Sequence, residues 1–298
     1  MDRRSLFIIV LLAISACVIA GLLGQRSADP SGRVEGAVQV ASLAPCITGT
    51  LYAIGATKSI GLVSDYCPAS EEMPRGGTAL APDLERILRS QSRVLLVRHA
   101  AGVPIEELKR VGEPIILPWS TVSQVASSIE KIGTITGHVS AAQNLSQHLK
   151  DTLTATANPD APRVLLVIGS DFEEGSGPWV IKPNSMHGAV LTAAGYRNAI
   201  EKPMTGAPQI SLEALLKIDP DYILHLLVGP ERATDPSSTT DQSHELLSDY
   251  AGLPQLNAVR LQRIGQIQHP RILDEGPELI ELVREMSQEL KRLEEKSR

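Results

Sequence analysis

From Ala37 onward, short apolar runs alternate with apolar positions at helical spacing, which predicts parallel strands joined by crossover helices. Residues 38–43 predict a first strand. The Ala44-Pro45 step then turns the chain into a helix over 48–54, stopped by Gly55, and 59–63 predict a second strand. A short helix over 84–89, opened by Pro82-Asp83, leads to a strand over 93–97, and 113–117 predict another before Trp119. These elements make a first α/β lobe over 37–119. In the second lobe, 158–298, the pattern predicts strands over 163–168 and 222–227 and helices over 185–194 and 277–295.

Between the two lobes the period changes. Val122, Val125, Ile129, Ile132, Ile135, Val139, Leu145, Leu149 and Leu153 recur at mostly three- and four-residue steps, which predicts one long helix over 120–157 with Ser120 or Thr121 as its N-cap. If continuous, it is a rod of about 50 Å, although Gly133 and Gly137 leave room for a bend. A short helix followed by a strand occurs once per lobe. Pro82-Asp-Leu-Glu-Arg-Ile-Leu88 precedes Arg93-Val-Leu-Leu-Val97, and Ile210-Ser-Leu-Glu-Ala-Leu-Leu216 precedes Asp221-Tyr-Ile-Leu-His225. Two such lobes leave a cleft where the loops at their strand ends face each other, the usual place for a ligand.

Charge and composition narrow the functional classes. The net charge of −6 and the absence of a Lys/Arg run from the body argue against a nucleic-acid partner. No Gly-x-Ser-x-Gly elbow, His-Glu-x-x-His pair or phosphate loop is present, so the common enzyme signatures are missing. Arg3 and Arg4 precede an apolar run over 6–23, an export or anchoring segment. Within it, Ile14-Ser-Ala-Cys17 resembles a lipoprotein acylation motif. Because apolar residues continue past Cys17, an uncleaved anchor and a plain cleaved signal stay open beside lipidation at Cys17. In all three cases the rest of the chain lies outside the cytoplasm, behind a polar tether over 25–36. There the two remaining thiols, Cys46 and Cys67, form an even pair. A disulfide between them would stabilise the fold by roughly 3 kcal/mol, and two buried free thiols are the alternative.

Five segments carry a family resemblance. Ser42-Leu-Ala-Pro-Cys-Ile-Thr48 with Leu51-Tyr-Ala-Ile-Gly55 and Gly61-Leu-Val-Ser-Asp-Tyr-Cys67, then Asn184-Ser-Met-His-Gly-Ala-Val-Leu-Thr-Ala-Ala-Gly195, then 210–224, resemble the periplasmic substrate-binding proteins of ABC importers for ferric siderophores, haem and cobalamin. The fold this implies is α/β, two Rossmann-like lobes bridged by one long backbone helix. The function it implies is capture of a small molecule and delivery to an ABC permease and its ATPase, with no catalysis and no resident cofactor or metal. Carried over position by position, the resemblance implies a cleft built by Pro45, Cys46, Asp65, Tyr66, Arg98, His99 and Trp119 from the first lobe. The second lobe would add Trp179, Lys182, Asn184, His187, His269 and Arg271. Glu85 and Glu213 match the positions that meet permease arginines.

Each residue also has an ordinary role available. Glu85 and Glu213 are the glutamates of solvated helices, and Arg98 and Arg271 could pair with acidic neighbours. His225, inside a strand pattern, is expected in the core. Aromatics make up only 3% of the chain and the candidate cleft is basic, which favours a ferric siderophore with acidic groups, with a corrinoid next. A membrane-fixed sensory or adaptor receptor of the same fold is the rival reading, and a hydrolytic enzyme a more distant one.

Overall fold

A computed structural model describes residues 38–98, 104–169, 177–206, 208–230, 246 and 250–297. The apolar run over 6–23 with Cys17, the tether over 25–36, and His99 lie outside the described residues. Val38–Arg298 forms one compact unit. It contains two sheets whose strands follow the alternation in the sequence. In the first sheet β1 (Val40–Ser42), β2 (Ile60–Val63), β3 (Val94–Val97) and β4 (Glu113–Ile116) run parallel in the order β2-β1-β3-β4. The crossovers carry α1 (Pro45–Ala53), α2 (Leu84–Arg89) and α3 (Ile105–Leu108). Helix α1 starts three residues before the predicted position, because Pro45 occupies its first turn, where a missing N–H costs nothing.

The second sheet is built on β5 (Arg163–Ile168). One edge of β5 pairs in parallel with β8 (Tyr222–Leu227), which pairs with β9 (Ile264–Gln268). The other edge is shared. The two-residue β7 (Arg197–Asn198) takes the start of β5, and the antiparallel β6 (Trp179–Val180) takes its carboxyl end. Helices α6 (Met186–Ala193), α7 (Leu212–Ile218), α8 (Asn257–Arg260) and α9 (Glu278–Lys296) complete this half.

Side-chain alternation sorts the strands into three apolar layers. Along β3, Leu95 and Val97 join an outer core with Leu43, Leu62, Ile87 and Leu108, while Leu96 faces inward. Along β5, Leu165 and Val167 join a second outer core, while Val164 and Leu166 face inward. The inward residues of both sheets belong to one central cluster with α1, α6 and α9. At roughly 25 cal/mol per Å2 of apolar surface removed from water, this shared layer is the main tie between the halves.

The segment over 120–157 departs from the expected rod. It forms two helices, α4 (Val122–Thr136) and α5 (Val139–Leu153), separated by Gly137 in the left-handed conformation with φ 77°. They fold back antiparallel, since Glu130 accepts a 2.6 Å hydrogen bond from the Ser146 hydroxyl and lies 3.6 Å from the Lys150 ammonium. Nearer the turn, a Cβ on Gly133 would lie 2.2 Å from that of Ala142. The apolar period runs unbroken through the turn because Val125, Ile129 and Ile132 of α4 and Ala142, Leu149 and Leu153 of α5 enter the same central core. Helix α4 packs on α1 of the first half, and α5 packs on α6 and α9 of the second. The link between the halves is therefore a helix pair.

Gly133→Ala is expected to destabilise the protein by about 1–3 kcal/mol through overpacking, although alanine ordinarily favours a helix interior by about 1 kcal/mol over glycine. Urea denaturation of the two proteins measures the sign.

His225 sits fully buried on β8, as its place in the strand pattern predicts. Its Nδ1–H donates to the Gly169 carbonyl at 2.6 Å, so Nε2 is free to accept from the Tyr250 hydroxyl at 2.9 Å. Burial holds its pKa down at about 4, with the Gly169 bond opposing. Between that value and the ordinary 6.5 the unfolded chain binds the extra proton, so stability rises with pH across this window. Going from pH 7 to 4 should cost roughly 3 kcal/mol from this residue. Buried His187, also shifted down, acts in the same direction. Unfolding free energies measured from pH 7 to 4 check the slope, which should flatten in His225→Gln.

Candidate functional site

Parallel strands send their loops off at the carboxyl ends, and the candidate residues gather there in both halves. After β2, Arg75 organises the loop. Its guanidinium donates to the carbonyls of Ser64, Asp65, Cys67 and Ala69 at 2.8–3.1 Å, which fixes the turn and leaves Asp65 and Tyr66 facing solvent. Tyr66 is 77% exposed. In the second half, Trp179 stands opposite Ile168 at the carboxyl end of β5 and is 47% exposed. One exposed aromatic therefore stands at the strand ends of each half.

Trp119 differs from its expected role as a cleft wall. It is 2% exposed, within the central core, and its indole N–H donates to the backbone carbonyl of Glu275. Cys46 is likewise buried on α1, and burial pushes its thiol pKa up to about 12. It stays protonated and is a poor metal ligand or nucleophile. The disulfide read from the sequence is not formed. Cys46 and Cys67 are both free, and the Cys67 sulfur lies against the Ser64 hydroxyl at 3.0 Å and the Ser42 carbonyl at 3.7 Å. The cysteines are part of the packing around α1.

At the strand ends, the loop between β9 and α9 touches both halves. Arg271 pairs with Asp274 at 2.9 Å and with Glu278, and this group lies over Gly49 of α1, where a Cβ would lie 2.4 Å from Arg271 Nη2. Burial raises the pKa of Glu278, and Arg271 opposes the rise. Further along the loop, Glu275 pairs with Arg98 at the end of β3 while its carbonyl receives the Trp119 N–H. His187, on α6, donates Nε2–H to the Ile272 carbonyl at 2.9 Å. Burial, the largest influence on His187, keeps it neutral. His269 Nε2 lies 3.8 Å from Glu285. The cleft expected to be basic is thus largely neutralised by the loop's own carboxylates. Residues Asp274, Glu275 and Glu278 carry no sequence signal for this role beyond lying just before or within the first turn of the last helix.

Beside this junction, at the carboxyl end of β5, is a cavity of about 190 Å3 lined by Ile168, Val180, Ile181, Lys182, Ser185, His187, Gly206, Pro208, Leu273 and Glu275. Lys182 and His187 are the two proposed contacts that the structure brings into it. Its floor is set by α6, whose N-cap Ser185 accepts from Gly188 N at 3.1 Å and donates to the Lys182 carbonyl at 2.8 Å. Asn184 instead clamps the neighbouring loop through both backbone groups of Met204. Pro45, half-buried at the start of α1, helps to set the first turn of that helix. Among the described residues, no group of three His, Cys, Asp or Glu is placed to hold a metal ion.

The repeated helix–strand units match in detail. Asp83 caps α2 by accepting from Arg86 N, and Ser211 caps α7 by accepting from Ala214 N. Each helix carries its glutamate at the second position. Glu85 pairs with Arg89 at 2.5 Å and Glu213 with Lys217 at 2.7 Å, four residues on in both cases and all strongly exposed.

Comparison with known proteins follows the same lines. A family model described as a periplasmic binding protein matches residues 40–268. No curated protein matches the chain in sequence. Among solved structures, the periplasmic haem-binding protein HutB of Vibrio cholerae superposes with a TM-score of 0.68 at 17% identity, over 84% of this chain and 98% of that one. The periplasmic vitamin B12-binding protein BtuF of Vibrio cholerae gives 0.63 at 20% identity, over 87% and 98%. The siderophore-binding protein FhuD of the same organism, bound to Fe3+-Desferal, gives 0.64 at 17% identity, over 87% and 99%. At these identities the likeness speaks for the fold.

Proposed function

The chain belongs to the periplasmic binding protein family, and from that premise we propose that it is the extracytoplasmic receptor of an ABC importer. It captures a ferric siderophore or a corrinoid, with haem the third candidate, and hands it to a membrane permease. The observation that carries this reading is the cavity beside β5, set at strand carboxyl ends and closed on one side by the loop that touches both halves. At about 190 Å3 the cavity is smaller than the ~300–1,000 Å3 usual for ligand pockets, so seating such a guest requires the loop to shift. The guest would also contact Tyr66 and Trp179, whose exposed rings offer apolar faces from opposite halves. Glu85 and Glu213 serve the delivery step, one per half. The N-terminal run, through acylated Cys17 or as an anchor, keeps the receptor at the membrane.

The test is thermal denaturation of residues 26–298 with ferric siderophores, cobalamin and haem. A ligand at 100 times its Kd adds about 2.7 kcal/mol to the folded state and raises the midpoint. No shift with any of the three classes would remove this reading.

A further inference from the structure

The junction between the halves contains a charge arrangement that capture alone does not require. Arg98 is 44% exposed in its side chain, while its partner Glu275 is 18% exposed and lines the cavity. The backbone of Glu275 is held independently by the Trp119 N–H. Its carboxylate can therefore leave Arg98 by a side-chain rotation, without release of the loop. The other arginine at this junction, Arg271, is already held by two carboxylates and stacked over α1. Lys182 lines the same cavity and makes no ion pair with any described residue. With His187 neutral, the cations here are Arg98, Lys182 and Arg271, matched by the carboxylates of Glu275, Asp274 and Glu278, so a guest carboxylate reaches Arg98 by exchange with Glu275.

We infer that the Glu275 carboxylate acts as an internal competitor at Arg98: a guest carrying its own carboxylates exchanges with it, so Arg98 selects carboxylate-rich chelates and Glu275 holds down the affinity with which it does so. The inference rests on the capture function proposed above and names the chemical class of guest. On exchange, the guest carboxylate takes the Arg98 fork, and the freed Glu275 turns toward Lys182 in the cavity. Because Arg98 is partly exposed, the pair that must be broken is worth on the order of 1 kcal/mol, a cost that one charge-assisted contact from the guest offsets.

The experiment titrates ferric dicitrate, which carries free carboxylates, and ferrichrome, a neutral hydroxamate chelate, into the full chain in detergent by calorimetry. The wild type is compared with Glu275→Gln and Arg98→Gln. Glu275→Gln keeps the carbonyl that holds Trp119, and an unchanged Trp emission spectrum establishes that the junction is intact. Glu275→Gln is expected to tighten ferric dicitrate binding about fivefold and Arg98→Gln to weaken it by at least as much, with ferrichrome changing less than about twofold in both. Equal tightening of both chelates, or unchanged or weaker ferric dicitrate binding in Glu275→Gln, overturns the exchange while capture stands. Failure of ferric dicitrate to bind any of the three proteins also overturns it, whereas binding of ferric dicitrate alone agrees with it; capture is decided separately by the thermal shifts with cobalamin and haem.

Discussion

Replacing Glu85 and Glu213 together by arginine is expected to abolish uptake of the ligand into cells while ligand affinity changes by less than about twofold. The two glutamates lie on α2 and α7, away from the cavity, and each is capped and paired by its own helix. Their effect on stability is small, since exposed pairs four residues apart contribute only a few tenths of a kcal/mol. At a docking surface the same charges steer orientation and on-rate. Reversing both turns two attractions into two repulsions, and like-charge contacts at an interface cost several kcal/mol. Uptake of the labelled ligand, set beside calorimetry on the purified double variant, separates the alternatives. Normal uptake would return both residues to the status of solvated helix glutamates, and lost affinity would mean that the tips form part of the pocket.

The second large effect is expected at Trp119. Removing a fully packed aromatic side chain costs about 3–5 kcal/mol, a large share of the ~5–15 kcal/mol that holds a typical domain folded. Trp119→Ala also strips the Glu275 carbonyl of its donor, so the loss should fall at the top of that range. Trp119→Phe keeps most of the apolar volume and should cost about 1–2 kcal/mol for the unpaired carbonyl. Guanidinium denaturation of the two variants separates packing from hydrogen bonding. A loss under about 1 kcal/mol in Trp119→Ala would show that the central core does not depend on this residue.

Trp119 also illustrates where sequence reading ends. The chain says that it follows a strand, and an aromatic after a strand in a chain with few aromatics invites a ligand role. Its actual partner, Glu275, lies 156 residues away, and no local pattern connects them. Arg98 and Glu275, 177 residues apart, pose the same difficulty. Elements set by local chemistry were legible: β5 and β8 as apolar runs, α2 and α7 as capped echoes, His225 as a core histidine. The hairpin of α4 and α5 was half legible. The period named the apolar faces correctly, and Gly137 was visible as a weak point, but a period alone does not distinguish a straight helix from two that fold back on one core. Strands β6 and β7, two residues each, are too short to leave a period, and they exist because β5 has an edge to fill.

One consequence follows from the apolar layer that both sheets share. Jaws that swing apart must expose the material between them, and here that material is the largest part of the interior. Large-amplitude clamping is therefore energetically closed to this molecule. Were Glu85 and Glu213 to meet a permease as proposed, the spacing of these two tips would stay nearly constant, and the partner would sense the cargo through a small displacement of one loop.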